Sequence, residues 1–390
     1  MNYCKKCVQT DTRPDIYFDE NGICGACLWE EGKKTINWSE RESTLQQIAR
    51  EAKADSNGQY DCVIGVSGGK DSLFQAIYAR DTLGLRPLLV NGQAEQTTEL
   101  GNDNLENIMQ LGFDVIGIRP NPIVMKKLII RDFFKNLNIQ RPTEYSLWAS
   151  AYIIADKFDI PLVIQGEDSA ETLGVKKPVP VDGNALNADQ SNTIRTSPLD
   201  LYADTFDGDT APEDLYLYHY DKESLLRKKI RGVWLSHYVK EWSQNYNFDF
   251  SVKRGMGIHP ESTNPYDIGT YRLFYQLDSK FLEINQMFKY IKFGFGATTD
   301  HVCYDIRDGI ITRDEGIFLV REFDGCCGKH FIDNFCKYIN ISKDFFWDHA
   351  NKFRGPMWQE NDGAWILKNP IWLQKTIDSS ISFRKIQEKL

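Results

Sequence analysis

No stretch of the 390 residues approaches the apolar length, roughly 20 residues, that a membrane-spanning helix needs. Met1-Asn2-Tyr3-Cys4-Lys5-Lys6 leads into polar sequence rather than the apolar core of a secretory signal, so a cytoplasmic protein with no membrane insertion is expected. Positive charge is scarce. Against 55 Asp and Glu stand 46 Lys and Arg, a formal net charge of −9. Phosphate backbones are held by clustered Lys and Arg, so no nucleic-acid partner is expected. The densest basic run, Arg227-Lys228-Lys229-Ile230-Arg231, reads as a solvated helix face. Internal repeats are also missing, and 42% hydrophobic with 26% charged residues is ordinary for a globular chain with room for two or three domains.

Cysteine is present in a pattern. Of nine Cys, four form the pairs Cys4-x-x-Cys7 and Cys24-x-x-Cys27, with sixteen residues between them. In a cytosolic chain this spacing points to a four-thiolate zinc site before disulfides. Asp19-Glu20-Asn21-Gly22 reads as the turn leading back to the second pair. Four Cys ligands leave no open coordination position, so the site should be structural.

The most informative stretch is Ser67-Gly68-Gly69-Lys70-Asp71-Ser72, directly after the apolar run Cys62-Val63-Ile64-Gly65-Val66 and before a helical pattern at Leu73, Phe74, Ala76 and Ile77. Glycines let the backbone approach a ligand, and the free N–H groups of the following helix favour an anion. The glycine spacing is not that of a Walker A loop. It resembles the SGGxDS loop of the ATP pyrophosphatase (PP-loop) superfamily, whose members split ATP between its α and β phosphates to adenylate a carbonyl-type oxygen.

Short β-branched runs at Val63–Val66, Pro87–Val90, Val115–Ile118 and Leu162–Ile164 alternate with helical patterns. Repeated βα units predict an α/β fold, a doubly wound parallel sheet of PP-loop type. Ligands of such sheets sit beyond the carboxyl ends of the strands, which brings in Asn91, Gln93 and Glu95 after the second strand and Gly166, Glu167 and Asp168 after the fourth. Polar residues there also serve as plain turn formers. The expected organisation is a zinc ribbon at 1–50, an ATP-binding domain at 51–260 with an extended insertion near 176–222, and a mainly helical region at 261–390. Trp234, Tyr238, Trp242, Tyr246 and Phe248 recur at near-helical spacing and read as core rather than as a sugar-stacking face.

A second constellation begins at Lys292-Phe293-Gly294-Phe295-Gly296-Ala297-Thr298-Thr299-Asp300-His301 and continues through Asp305-Ile306-Arg307. His301 alone is as readily a structural histidine as a site residue. Thr312-Arg313-Asp314-Glu315 reads as a helix start closed by a capping box. With the Cys pairs, Thr12-Arg13-Pro14, Phe18-Asp19-Glu20-Asn21-Gly22, the Ser67–Ser72 loop and Gly166-Glu167, this block resembles the N-acetyl sugar amidotransferase family from Met1 to about Leu367. That family serves bacterial lipopolysaccharide O-antigen and pseudaminic or legionaminic acid pathways.

The resemblance implies conversion of a sugar acetamido group to an acetamidino group with ATP and ammonia. Ser67, Gly68, Gly69, Lys70 and Ser72 would hold pyrophosphate, Asp71 would help to hold Mg²⁺, and Asn91, Gln93, Gly166 and Glu167 would contact the nucleotide. Lys70, Asp71, Asp300, His301 and Arg307 are the catalytic candidates. The family has Arg where this chain has Ala297, so Arg307 or Arg313 is a candidate to position the sugar instead. Neither Gly22-Ile23-Cys24 nor Cys326-Cys327 forms a Gly-x-Cys-x-Gly nucleophile elbow, and position 2 is not Cys. A separate glutaminase is therefore expected to supply ammonia, and the family resemblance implies a cyclase-like subunit with it. Two alternatives stay open: a PP-loop tRNA sulfurtransferase using Cys326 or Cys327, and a nucleotide-sensing or scaffold subunit without turnover.

Overall fold

The computed structural model describes residues 1–56, 58–175, 182–186, 195–374, 378 and 380–390. Two helices, α1 (Gly25–Gly32) and α2 (Trp38–Asp55), follow the first Cys pair. Five strands then form one sheet: β1 (Cys62–Gly65), β2 (Pro87–Gly92), β3 (Val115–Ile118), β4 (Leu162–Gln165) and β5 (Arg231–Trp234). Their order is β3-β2-β1-β4-β5, and every pairing is parallel, with Val63 opposite both Leu88 and Val163. The chain therefore runs outward from β1 to one edge and returns to β4 on its other side. That reversal makes a crevice beside the carboxyl end of β1.

The strand sequences explain why both faces are covered. Cys62, Ile64 and Val66 point to one side and pack with Leu45, Leu73, Phe74 and Ile108; Val63 points to the other, with Ala151, Tyr152 and Ala155. The helices concerned are α2, α3 (Lys70–Ile77) and α4 (Glu99–Gln110) on the first face and α6 (Arg141–Phe158) on the second, while α5 (Pro122–Asn136) packs toward the C-terminal helices. Sequence reading placed the first four strands and missed β5. The basic run expected on a helix face instead leaves the helix Lys222–Arg227, turns at Lys229 with φ 57°, and opens β5 at Arg231. Four residues are too few to show a period of two.

Beyond β5 the described chain is mainly helical: α7 (Gln244–Val252), α8 (Leu282–Phe293), α9 (Ala297–Arg307), α10 (Arg313–Phe323), α11 (Lys329–Ile339) and α12 (Lys343–Asn351), then a hairpin of β6 (Trp358–Asn361) and β7 (Ala364–Leu367). Thr312 caps α10 as expected: its Oγ1 accepts from Glu315 N at 3.3 Å, and Glu315 Oε2 accepts from Thr312 N at 2.9 Å. The aromatic series is largely core, with Trp234 edge-on to Trp148 and Trp242 edge-on to Phe74, although Tyr246 is 42% exposed. Residues 176–181 and 187–194 of the expected insertion lie outside the described residues; 195–222 form short helical turns around the buried Tyr202.

Hydrophobic clusters cross the boundaries expected near 50 and 260. The four N-terminal Cys pack with Val302, Ile317, Val320 and Phe323 of α9 and α10, and Phe133 of α5 packs with Phe288, Phe335 and Phe346 of the C-terminal helices. The start and end of the chain thus share a core. This brings the Cys pairs next to the Asp300-His301 block.

Candidate active site

The turn from β1 into α3 admits only glycine at one point. Gly68 has φ +88°, and a Cβ there would stand 2.9 Å from Asn104 Cβ and 3.1 Å from Gly101 O on α4. Ser67, Gly69, Lys70, Asp71 and Ser72 line a cavity of about 140 Å³, closed opposite by Phe274 to Asp278. Lys70 is buried, its Nζ 2.8 Å from Asp71 Oδ2 and 4.3 Å from the centre of the Tyr275 ring. Helix α7 braces this loop: Asn247 Nδ2 donates to Asp71 Oδ1 at 2.7 Å, and Ser251 Oγ donates to Lys70 O at 2.8 Å. A cation, two hydroxyls and a helix start around a small polar cavity suit an anionic group.

A second cavity of about 190 Å³ adjoins the first, and Lys70, Asp71, Tyr275 and Gln276 line both. Its far wall is one face of α9, where Ala297, Asp300, His301 and Tyr304 follow the spacing i, i+3, i+4, i+7. Tertiary structure therefore brings Asp300 and His301 opposite Lys70 and Asp71. Asp324 caps this helix, its carboxylate accepting from Gly296 N at 2.8 Å and Thr299 Oγ1 at 2.7 Å.

The electrostatics of the wall separate its residues. Burial pushes Asp300 up, but Arg13 and Lys289 together outweigh it and hold the carboxyl below the usual carboxylate range. Both cations pair with it, Lys289 Nζ at 2.7 Å. Burial, reinforced by Arg272, drives His301 well below its ordinary value, so the imidazole is neutral; Thr270 Oγ1 lies 2.5 Å from its Nδ1. Burial, with Asp71 nearby, pushes Glu167 up to about 7, and Gln244 Nε2 donates to its Oε2 at 2.7 Å. Gln276 and Gln286, also on this cavity, carry buried amide atoms without a hydrogen-bond partner among the described residues, each costing about 1–3 kcal/mol.

Other sequence candidates lie elsewhere. Asn91 is buried and donates to Val66 O at 2.8 Å, tying the end of β2 to the base of the loop; neither it nor Gln93 lines either cavity. Gly166 is a close-packing position, where a Cβ would meet Gln75 Nε2 at 2.9 Å. Arg307 Nη2 donates to Thr172 O at 3.0 Å and lines a third, smaller cavity of about 40 Å³ beyond Glu167, Gln244 and Tyr304. Arg313, a candidate to replace the arginine absent at Ala297, instead donates to the carbonyls of Cys7 at 2.9 Å and Cys4 at 3.1 Å. Sequence reading missed Gln244, Asn247, Tyr275, Gln276, Gln286 and Tyr304. They lie outside strand ends and glycine turns, so no local signal marked them, except that Tyr304 continues the face of Asp300 and His301.

The four N-terminal Cys are buried with sulfur atoms all within 4.8 Å of one another. Cys4 Sγ to Cys27 Sγ is 3.9 Å and Cys7 Sγ to Cys24 Sγ is 3.6 Å. A tetrahedron of thiolates with metal–sulfur bonds of ~2.3 Å has edges of ~3.8 Å, so the cluster fits a metal ion of that kind. Backbone N–H groups of Lys6, Gln9 and Cys24 point at the sulfurs at 3.3–3.4 Å. The loop between the pairs carries Arg13 to Asp300.

Residues 268–370 match the family model for the LPS biosynthesis protein WbpG-like, C-terminal domain. That segment is similar to a WbpG-like C-terminal domain. It supplies Tyr275, Gln276, Gln286, Ala297, Asp300, His301 and Tyr304 to the cavity, while the start of α3 supplies Lys70 and Asp71 and the loop after β4 supplies Glu167. The match supports the family resemblance read from the sequence. No curated protein sequence is significantly similar to the chain. Among solved structures, NMN synthetase from Francisella tularensis aligns at 16% identity over 58% of this chain and 99% of that chain, with a TM-score of 0.29.

Proposed function

We propose that this protein is an ATP-dependent amidotransferase that adenylates the acetamido oxygen of an N-acetylated sugar and replaces it with ammonia, giving an acetamidino sugar, AMP and pyrophosphate for bacterial surface glycan synthesis. The observation that carries this reading is the wall shared by two cavities, one built on the Ser67–Ser72 loop and the other on the WbpG-like domain.

An amide carbon is a poor electrophile and its oxygen a poor leaving group. Bonding that oxygen to the α-phosphorus, with loss of pyrophosphate, answers both difficulties. Ser67, Gly69, Ser72 and the start of α3 hold the phosphates, and Lys70 meets charge that develops on the departing pyrophosphate. Asp71 and Glu167 line the acceptor cavity together and would hold Mg²⁺, which would supply further charge neutralisation. Ammonia then forms a bond to the activated carbon, the C–O bond breaks, and AMP leaves with its electron pair. The proton that the attacking nitrogen sheds stays on the product as the amidinium, and neutral His301 lines the wall as an uncharged hydrogen-bonding group. Arg13 and Lys289 keep Asp300 charged to orient the acceptor. Cys4, Cys7, Cys24 and Cys27 would hold Zn²⁺, which would fix the ribbon that carries Arg13, and a separate glutaminase with a cyclase-like subunit supplies ammonia.

Burial raises the Cys326 thiol to about 11 and raises Cys327 as well, which weighs against a thiolate-dependent tRNA sulfurtransferase. The deciding assay gives purified protein ATP, Mg²⁺, ammonium and either an N-acetylated sugar or bulk tRNA, and follows pyrophosphate. Release that requires the sugar is expected. Release that requires tRNA, or none with any acceptor, would sink the reading.

A further inference from the structure

Two glutamines on the acceptor cavity have hydrogen-bonding groups that nothing among the described residues answers. Gln276 is only 8% exposed, and both its amide nitrogen and its amide oxygen lack a partner. Its backbone is left-handed, φ +60°, a conformation that a residue with a side chain holds when its surroundings impose it. Gln286, on α8, has its amide oxygen buried without a partner. Native structures leave few such atoms, and those that remain at a cavity call for a ligand.

Their positions differ in a useful way. Gln276 is on the wall shared by the phosphate and acceptor cavities, whereas Gln286 lines the acceptor cavity alone. A secondary amide in its trans form presents its C=O and N–H on opposite sides. When the oxygen faces the phosphates for adenylation, the N–H faces away from them. The wall offers a donor at the junction and an acceptor beyond it. Arg13 and Lys289 pair with Asp300, and Thr270 engages the Nδ1 of His301, whereas the glutamine amides on this wall are without partners among the described residues.

We infer that Gln276 and Gln286 clamp the acceptor's acetamido group: Gln276 Nε2 donates to one lone pair of the carbonyl oxygen and leaves the other toward the α-phosphate, while Gln286 Oε1 accepts from the acetamido N–H. This rests on the amidotransferase reading above. The clamp selects a secondary amide over a hydroxyl or a free amine. It also pulls density toward the oxygen that must attack.

The two ends of the clamp respond differently to the same exchange. Initial rates of pyrophosphate release are measured with ATP, Mg²⁺ and ammonium over a panel of N-acetylated sugars, free and UDP-linked, with UDP-glucose as the amide-free control. Gln276→Glu removes the donor and sets negative charge against the carbonyl oxygen, so the KM for the sugar rises about tenfold or more. Gln286→Leu raises it by a similar factor, and Gln286→Glu, which keeps an acceptor, recovers most of the loss. Thermal melting and zinc content verify that each variant folds. Equal effects of Glu at both positions, or KM values for the sugar that do not move, would overturn the clamp while leaving the amidotransferase reading intact. Absence of sugar-dependent release by the unmodified protein would overturn both.

Discussion

The two halves of the cavity are built on opposite plans. The phosphate half is built on six consecutive residues, Ser67 to Ser72, whose conformation follows from a strand end, two glycines and a helix start, and is closed by the 274–278 segment. The acceptor half takes residues from the loop after β4, α7, α8, α9 and Tyr275-Gln276, and the charge of Asp300 on it is set by Arg13 from the ribbon together with Lys289. Backbone amides and a glycine turn can recognise a phosphate because every nucleotide presents the same phosphates. Recognising one sugar amide needs side chains from several directions, so only a folded chain can assemble the site.

Removing the metal tests this contrast most severely. Stripping the thiolate-bound metal and then restoring Mg²⁺ should abolish sugar-dependent pyrophosphate release, because the ribbon would lose the geometry that delivers Arg13 and the carbonyls bound by Arg313. Nucleotide affinity, measured by calorimetry in Mg²⁺, should stay within about threefold, because residues 67–72 and 274–278, not the ribbon, line the phosphate cavity. A parallel loss of nucleotide binding would mean that the halves are not separable. Lys70→Ala acts on the other half: turnover should fall about 10²–10³-fold with zinc content unchanged, by analogy with removal of one transition-state donor. Retention of full turnover would remove Lys70 from the chemistry.

Arg13→Ala should have a smaller effect and an informative pH dependence. It breaks a buried pair but leaves Lys289 on Asp300, so the loss of stability should fall toward the lower end of about 3–5 kcal/mol. Because Asp300 titrates below its unfolded value of about 3.9, its pairing contributes fully above that pH and is lost as pH falls through the lowered value. Without Arg13 the acid limb of the melting profile should begin at higher pH. Identical limbs in the two proteins would show that Arg13 does not set the charge of Asp300.

Some of this was legible before folding because its cause is local. The apolar run Cys62 to Val66, the glycine turn at Gly68, the capping box at Thr312 and the Cys-x-x-Cys pairs each depend on neighbours within a few residues. The edge strand β5 was not legible, since Arg231-Gly232-Val233-Trp234 is short and follows a basic run. The surroundings of Arg307 and Arg313 were not legible either. Both stand in a block of functional appearance; in the fold one donates to the Thr172 carbonyl and the other to the carbonyls of two cysteines.

By itself, the sequence determined the parallel βα framework, the anion-binding turn at its centre and the four-thiolate cluster, because these follow from backbone conformation, periodicity and ligand spacing. The tertiary structure decided that Asp300 and His301 face Lys70 and Asp71, that Arg13 governs Asp300, and that Gln276 and Gln286 stand unpaired on the same cavity. Those relations arise where α9 packs against the ribbon and where the 274–278 segment closes over the loop, and no local pattern encodes contacts between segments so far apart.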